Sequence, residues 1–418
     1  MSIQLIEYLE KNNLLSHTQH GFRPQLSTET ALLKVTETIY ENIDNKNISL
    51  LILLDLSKAF DSVSHDILLY KCMKLNIDQF WFRDYLENRS QSVRLGDIVS
   101  SPKPVDFGVP QGSILGPILF LIYINDMATA ISDCVLVQYA DDSQLVISGK
   151  VEELNNLIAR AENILQTARH YFQINGLNIN ESKTKCIFIG SRQLISQIPN
   201  DTVINFNGFP IERSTKVKNL GVYFDQFMVF DCHIDEVCRK VNGTLIYLNR
   251  IKDRFDSEMR GMVVQSLAMS IVSYCLKIWG VTSKEQLQRV QRLQNFAAKV
   301  IDGKARKYDH VSPILDNLQW LTIKEKIQFD LCVMVFKVLQ NLLPPWLFNL
   351  STVGDRRNRH TRSNNDLFVL RTNTNLGGKS FIIQGPAVWN KLPNYIKEII
   401  NINSFKTRLK QHLLNRLR

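Results

Sequence analysis

The sequence has no cysteine pairing pattern, no membrane-length apolar run and no secretory pattern in its opening residues, and each absence argues against a class of function. Its seven cysteines (72, 134, 186, 232, 238, 275 and 332) are scattered, odd in number and form no C-x-x-C pair. That argues against a disulfide framework and for a reducing compartment with buried thiols. Cys232, His233 and Cys238 lie close together, but their spacing fits no zinc template and no second pair follows. No apolar run approaches the ~18–20 residues of a membrane span, so no membrane partner is expected. Residues 1–13 are acidic and amphipathic, without the basic start and apolar stretch of a secretory signal. There is no internal repeat and no heptad run. No clear basic import cluster is present beyond Arg356-Arg-Asn-Arg359, and with neither a secretory nor a membrane pattern the expected localisation is nuclear or cytoplasmic.

What is present begins with charge. The net charge of +10 over 418 residues is unevenly placed. Residues 281–418 hold 23 of the 50 Lys and Arg but only 9 of the 40 Asp and Glu, a net of +14. Residues 1–280 are therefore net −4. A basic excess of this size suits a polyanion, whose condensed counterions are released on binding, although a merely soluble basic surface has the same composition. An apolar fraction of 44% is enough for a sizeable core, and the length allows two or three domains.

Along the chain, residues 2–15 predict a short helix and Thr28 to Ile43 a second, with Ala31, Leu32, Val35, Thr38 and Ile39 on one face. Ile48 to Leu54 is an apolar run of strand length, suited to a buried central strand, and it ends in Asp55. Ser64 is placed to cap a helix running to about Leu75. Residues 92–99 and 105–109 read as short strands, 108–113 as a loop and Ile114 to Asp126 as an apolar helix. Val135–Ala140 and Ser143–Ile147 flank Asp141-Asp142 like hairpin arms, and a long amphipathic helix then runs to about Gly176. From about residue 231 the pattern is mostly helical, with Val237–Ile251, Met259–Trp279 and Lys284–Ile301 the clearest segments. Residues 350–380 read as a polar linker, and the apolar pattern resumes around Trp389. This order is α+β rather than alternating parallel α/β.

Asp55 closes an all-apolar strand, and Asp141-Asp142 stands at a tight turn after another. A carboxylate in such a place is costly to desolvate unless it is paired or binds a metal. Three of them together would repel one another, and a hard divalent cation such as Mg²⁺ relieves that repulsion. Two such ions ~3.5–4 Å apart can drive in-line phosphoryl displacement. The same residues also suit a plain hairpin turn and a helix cap.

The surrounding residues carry a resemblance. Leu54-Asp-Leu-Ser-Lys-Ala-Phe-Asp61, Gly108-Val-Pro-Gln-Gly-Ser-Ile-Leu-Gly-Pro117 and Tyr139-Ala-Asp-Asp142 resemble, in order, motifs A, B and C of reverse transcriptases from jockey-like non-LTR retrotransposons. His20-Gly-Phe-Arg-Pro with Ser27-Thr28 is similar to the motif upstream of A, Gly176 to Thr184 to motif D, and Leu220-Gly-Val222 to the primer-grip motif E. Thr361-Arg-Ser and Trp389-Asn-Lys-Leu-Pro393 resemble the region on the C-terminal side of the polymerase in these elements, so the likeness runs from about residue 10 onward.

The resemblance implies a right-hand polymerase fold: partial fingers over 1–50, a palm with an antiparallel sheet over 51–230, a helical thumb over 231–302, and a mainly helical, basic C-terminal region over 303–418. It implies Asp55, Asp141 and Asp142 as catalytic ligands of two Mg²⁺ ions, with the Leu56 carbonyl as a further ligand and Mn²⁺ as a possible substitute. Phe60 falls at the steric gate that selects dNTPs, with core packing the plainer role for its ring. Gln111 and Gly112 would lie along the nascent base pair, where glycine permits close backbone approach. Lys183 would assist pyrophosphate departure and Arg23 would hold the triphosphate, with solvated surface charge as the plainer role of both. Leu220 and Gly221 would form the primer grip, while Asp61 and Asp66 are read as local caps. The partners implied are an RNA template, a DNA primer and dNTPs, with 281–418 contacting nucleic acid.

Full-length relatives of that kind carry further finger motifs ahead of His20 and an endonuclease domain before them. The chain is therefore expected to be a truncated copy. No carboxylate set of an RNase H domain and no zinc knuckle is found. Two functions stand side by side: an RNA-directed DNA polymerase, favoured by the intact motif residues, and a non-catalytic remnant that at most binds nucleic acid, favoured by the missing fingers. A nucleotide cyclase palm is a distant third, since it has no use for the Gly-Val-Pro-Gln-Gly loop.

Overall fold

The computed structural model describes residues 1–306, 308–353 and 366–415. The polar segment Thr361-Arg-Ser and the cluster Arg356-Arg-Asn-Arg359 lie outside the described residues. The chain forms two compact units, one of residues 1–42 and 46–215, the other of 43–45 and 216–418.

At the centre of the first unit is a four-stranded antiparallel sheet. Its strands are β1 (Ile48–Leu54), β2 (Val135–Tyr139), β3 (Asp142–Gly149) and β4 (Lys185–Ile189), in the order β4-β1-β3-β2. β1 is central and almost wholly buried, which is why its sequence is continuously apolar rather than alternating. The helices Thr28–Asp44, Gly116–Ile124 and Leu154–Ile174 supply much of the surrounding core, with Leu32, Phe120, Leu165 and Phe172 among its fully buried side chains. Gly116–Ile124 is buried on nearly every side, as its uniformly apolar sequence requires. Ser64 caps the helix His65–Lys74 as expected.

Residues 90–104 depart from expectation. They form short two-residue ladders at 90–91, 94–95, 98–99 and 103–104, and 105–109 is not a strand. Residues 107 and 108 are instead tied to the turn after β1, through a Ser64–Phe107 bridge and a Gly108 N to Val63 O bond of 2.7 Å.

The second unit opens with the hairpin Lys216–Asn219/Val222–Asp225 and continues as helices, the longest being Asp231–Ile251, Lys284–Asp302 and Ile323–Leu339. The Asp225 carboxylate accepts the backbone N–H groups of Phe227, Val229 and Phe230 and so ties the hairpin to the start of the helix at Asp231. The single helix expected over Met259–Trp279 is also interrupted. It passes through a π-helical turn at Gln265–Met269 and breaks where Tyr274 becomes extended and Cys275 takes φ +52°. The freed Tyr274 carbonyl is satisfied by the Trp279 indole N–H at 2.8 Å.

Candidate active site

β1 ends at Leu54, whose partner across the sheet is Ser143, while Tyr139 faces Asp142 across the hairpin. This register places Asp55, the next residue of its strand, beside the turn that carries Asp141 and Asp142. Neighbouring charge shows in the ionisation of the pair. Burial raises the Asp141 carboxyl above the usual carboxylate range, against the effect of its own backbone N–H, and Asp55 adds to the rise. Asp142, at the exposed start of β3, is pushed up to about 6 by partial removal from water, then by the charges of Asp141 and Asp55.

The short ladder Leu56–Ser57/Asn178–Ile179 lays the segment after Gly176 alongside Asp55. Asn180 N donates to the Asp55 carbonyl at 2.8 Å. The ladder thereby brings Lys183 to the carboxylate, with Nζ 3.5 Å from Asp55 Oδ2, at the outer edge of an ion pair. Asp55 Oδ2 is buried and accepts no hydrogen bond among the described residues. An anionic oxygen left in that state calls for a cation. The donor set is all oxygen, which suits Mg²⁺ or Mn²⁺. Among the described residues no three His, Cys, Asp or Glu side chains close into a ready metal cage. The three carboxylates lie close enough to act on one another's ionisation, and the Lys183 ammonium stands beside Asp55.

Phe60 follows on a 3₁₀ turn, Ala59–Ser62, entered through Lys58 at φ +50°. Its ring stacks on Phe120 with centroids 4.4 Å apart and meets Phe22 edge-on at 6.4 Å. The loop at 108–113 is laced to this turn. Val109 N donates to Phe60 O at 2.9 Å, and Gln111 Nε2 donates to Asp61 Oδ1 at 2.8 Å. Asp61 is therefore a tether for Gln111 rather than a helix cap. Gly108 has φ +91° and its position for a Cβ lies 2.9 Å from the Asp61 backbone, so no side chain fits there. Gly112 has φ +78° with open space around it, so its backbone angle, not a close approach within the chain, demands glycine.

Arg23 requires a correction. Its guanidinium is buried and closed on Glu10 at 2.7 and 2.8 Å, and it donates to the carbonyls of Ser16 and Gln19. A fork already shut on a carboxylate is not open to a triphosphate, and the residue holds its own loop together. Leu220 and Gly221 form the turn of the hairpin that opens the second unit, with φ +41° and +87°. Tyr274 OH donates to Leu220 O at 2.7 Å, and its ring lies where a Cβ on Gly221 would come within 3.1 Å. Sequence reasoning missed this prop, as it missed Phe22 and Phe120 around Phe60. It also missed Gln19, whose side chain reaches Ala140.

The Reverse transcriptase (RNA-dependent DNA polymerase) family matches residues 2–224. The chain belongs to the reverse transcriptase family. It is 28% identical over 313 residues to a probable RNA-directed DNA polymerase from transposon BS of Drosophila melanogaster, covering 71% of this chain and 34% of that protein. It is also 28% identical over 324 residues to the RNA-directed DNA polymerase from mobile element jockey of the same organism, covering 74% of this chain and 34% of that protein. The matched part is thus about a third of the length of these relatives. Apo telomerase from Candida tropicalis aligns with 83% of this chain and 60% of its own at 13% identity and a TM-score of 0.35, too slight a likeness to build on. Members of this reverse transcriptase family use divalent metal ions, and the orphaned Asp55 oxygen and all-oxygen donor set are compatible with one. Among the described residues no helix is long and apolar enough to cross a membrane.

Proposed function

We propose that this chain is an RNA-directed DNA polymerase that adds dNTPs to a DNA primer 3′-hydroxyl on an RNA template, in the manner of non-LTR retrotransposon enzymes. The observation that carries the reading is the register of β1 against the hairpin, which gathers Asp55, Asp141 and Asp142 at one end of a buried sheet with Asp55 Oδ2 unsatisfied. Two Mg²⁺ ions, or Mn²⁺ in their place, would be held by these carboxylates and the Leu56 carbonyl. Bound there, they supply the charge that activates one oxygen and steadies the leaving one in an in-line displacement.

The chain's own residues divide the remaining work. Phe60, braced by Phe120, presents a flat wall against which a ribose 2′-hydroxyl would collide, selecting dNTPs. Gln111, tethered to Asp61, and Gly112 form the edge along which the nascent pair lies. Lys183, already beside Asp55, hands a proton to the departing pyrophosphate. Leu220 and Gly221, propped by Tyr274, hold the primer end. The basic stretch 281–418 takes up the phosphate backbone. The place of action is the nucleus or the cytoplasm. The fingers, palm, thumb and C-terminal region follow the division 1–50, 51–230, 231–302 and 303–418.

The test is primer extension on an RNA template with dNTPs and Mg²⁺, beside an Asp141→Asn control. Extension by the unaltered chain alone is the expected result. No extension by folded protein would overturn it in favour of a remnant that only binds nucleic acid.

A further inference from the structure

The hairpin that carries Asp141 and Asp142 is held from outside by one buried side chain. Gln19 is 3% exposed, and its amide makes three hydrogen bonds. Oε1 accepts from Ala140 N at 2.9 Å and from Gly21 N at 2.8 Å, while Nε2 donates to Ala140 O at 3.2 Å. The carboxamide can lie only one way round, because two N–H groups face one end and a carbonyl faces the other. Both backbone polar groups of Ala140 are thus taken by a residue 121 positions away.

Ala140 is the first residue of the two-residue loop between Tyr139 and Asp142, and its φ is +55°. A tight hairpin asks for positive φ there, and glycine or asparagine meets that demand without strain. Alanine does not, so its conformation must be imposed by its surroundings. Those surroundings are the segment 18–21. Gln138 N donates to Thr18 O at 2.7 Å and His20 N to Gln138 O at 2.8 Å, which lays this segment as an added strand beside β2. At Gly21 a Cβ would stand 2.4 Å from Ala140 N, so the added strand presses directly on the loop.

We infer that Gln19 is a positioning residue for the two hairpin carboxylates. By fixing the Ala140 peptide groups in the left-handed conformation it sets the direction in which Asp141 and Asp142 leave the turn. This rests on the polymerase reading above only for what the carboxylates then do. Gln19 itself touches no reacting atom. No other residue type reproduces the clasp: glutamate keeps the acceptor but loses the N–H for Ala140 O, and methionine keeps the length and loses all three bonds.

The experiment compares the full chain with Gln19→Met and Gln19→Glu. Hydrogen–deuterium exchange should rise about tenfold in peptides that include Ala140 to Asp142 in the Met variant, with peptides of β1 unchanged. Mn²⁺ binding, followed by electron paramagnetic resonance, should weaken by a similar factor, with Gln19→Glu between the two. In single-nucleotide incorporation the maximal rate should fall at least tenfold while the dNTP concentration for half-maximal rate stays fixed, a split that general loosening would not produce. Unchanged exchange at the hairpin together with unchanged Mn²⁺ affinity would overturn the inference, whether or not the chain polymerises. If Gln19→Met does not fold, Gln19→Glu alone decides on the same readouts. An unaltered chain that never extends a primer, but whose variants show the exchange and Mn²⁺ effects, would sink the polymerase reading and leave Gln19 in its role.

Discussion

Lys183 Nζ stands 3.5 Å from Asp55 Oδ2, a carboxylate oxygen that accepts no hydrogen bond among the described residues. The ammonium occupies the position of a counter-ion without satisfying the oxygen. Lys183 is about two-thirds exposed, so the pair is weak and a divalent cation displaces it easily. Lys183→Met should therefore leave Mn²⁺ affinity within about fivefold of the unaltered chain, on the tighter side. If the lysine protonates pyrophosphate, the same change should cut the incorporation rate about a hundredfold. Rapid-quench incorporation beside Mn²⁺ titration checks both. A weakened affinity with an unchanged rate would make Lys183 a structural charge only.

Asp141→Asn should separate activity from stability. Burial and Asp55 both raise the Asp141 carboxyl, so in the metal-free chain its charge is a burden. Removing it should leave the thermal midpoint unchanged or slightly higher. If Asp141 holds the metal, primer extension should fall by at least a thousandfold, because a charged carboxylate becomes a neutral amide while shape is kept. Calorimetry and extension on one preparation give the comparison. A lowered midpoint would mean that Asp141 holds the hairpin together, contrary to its assigned role.

Phe60 is half-buried between Phe22 and Phe120, so truncating it carries a packing cost of about 1–3 kcal/mol. If Phe60 is the steric gate, Phe60→Ala should nevertheless incorporate rNTPs at least tenfold more readily relative to dNTPs. Competition between the two nucleotides in a single extension reaction reads the ratio directly. A ratio unmoved by the substitution would leave Phe60 as core alone.

His20 gives the stability a pH dependence. Its ring is buried with Nδ1 2.9 Å from Thr30 Oγ1, and burial, then Arg23 and Lys34, lower its pKa from 6.5 to about 3. Between those values the unfolded chain binds the proton and the folded chain does not. Stability is therefore full above about pH 6.5 and declines as pH falls toward 3. At pH 5 the loss from this one group is about 2 kcal/mol. Urea unfolding of the unaltered chain and His20→Gln at pH 7.5 and 5 should show a smaller drop in the variant. Equal drops would assign the acid sensitivity elsewhere.

The central strand was legible in the sequence because burial on both faces writes itself as an unbroken apolar run that Asp55 ends, and the hairpin because two strand-like stretches flank Asp141-Asp142. Their meeting was expected only through the resemblance, since the register Leu54 to Ser143 depends on pairing over a long separation that periodicity does not show. Arg23 was misread for a related reason. Its role is set by Glu10 and by two backbone carbonyls, and a carbonyl has no letter in the sequence. The same holds for Gln19, whose partners are the N–H and C=O of an alanine. The break at Tyr274 was hidden too, because an apolar helical stripe continues across it while Trp279 supplies the donor that the interrupted helix no longer offers.

The basic excess of residues 281–418 bears on how nucleic-acid binding should be tested. Cutting the chain at 280 would divide the second unit, where Val290, Leu293 and Ala297 of the helix Lys284–Asp302 are buried beside the helix Asp231–Ile251. Such a truncation would expose core and abolish binding for the wrong reason. Lys284, Arg292, Lys304 and Lys324 are exposed and can be neutralised without that damage. If they meet phosphates, changing all four to Gln should weaken binding to a primer–template duplex in every sequence context alike. The slope of log affinity against log salt should become shallower by about one for each phosphate left unneutralised. Fluorescence anisotropy at several salt concentrations measures that slope. An unchanged slope with weaker binding would mean that these four act on shape and not on phosphate, and would move the polyanion site to another part of the chain.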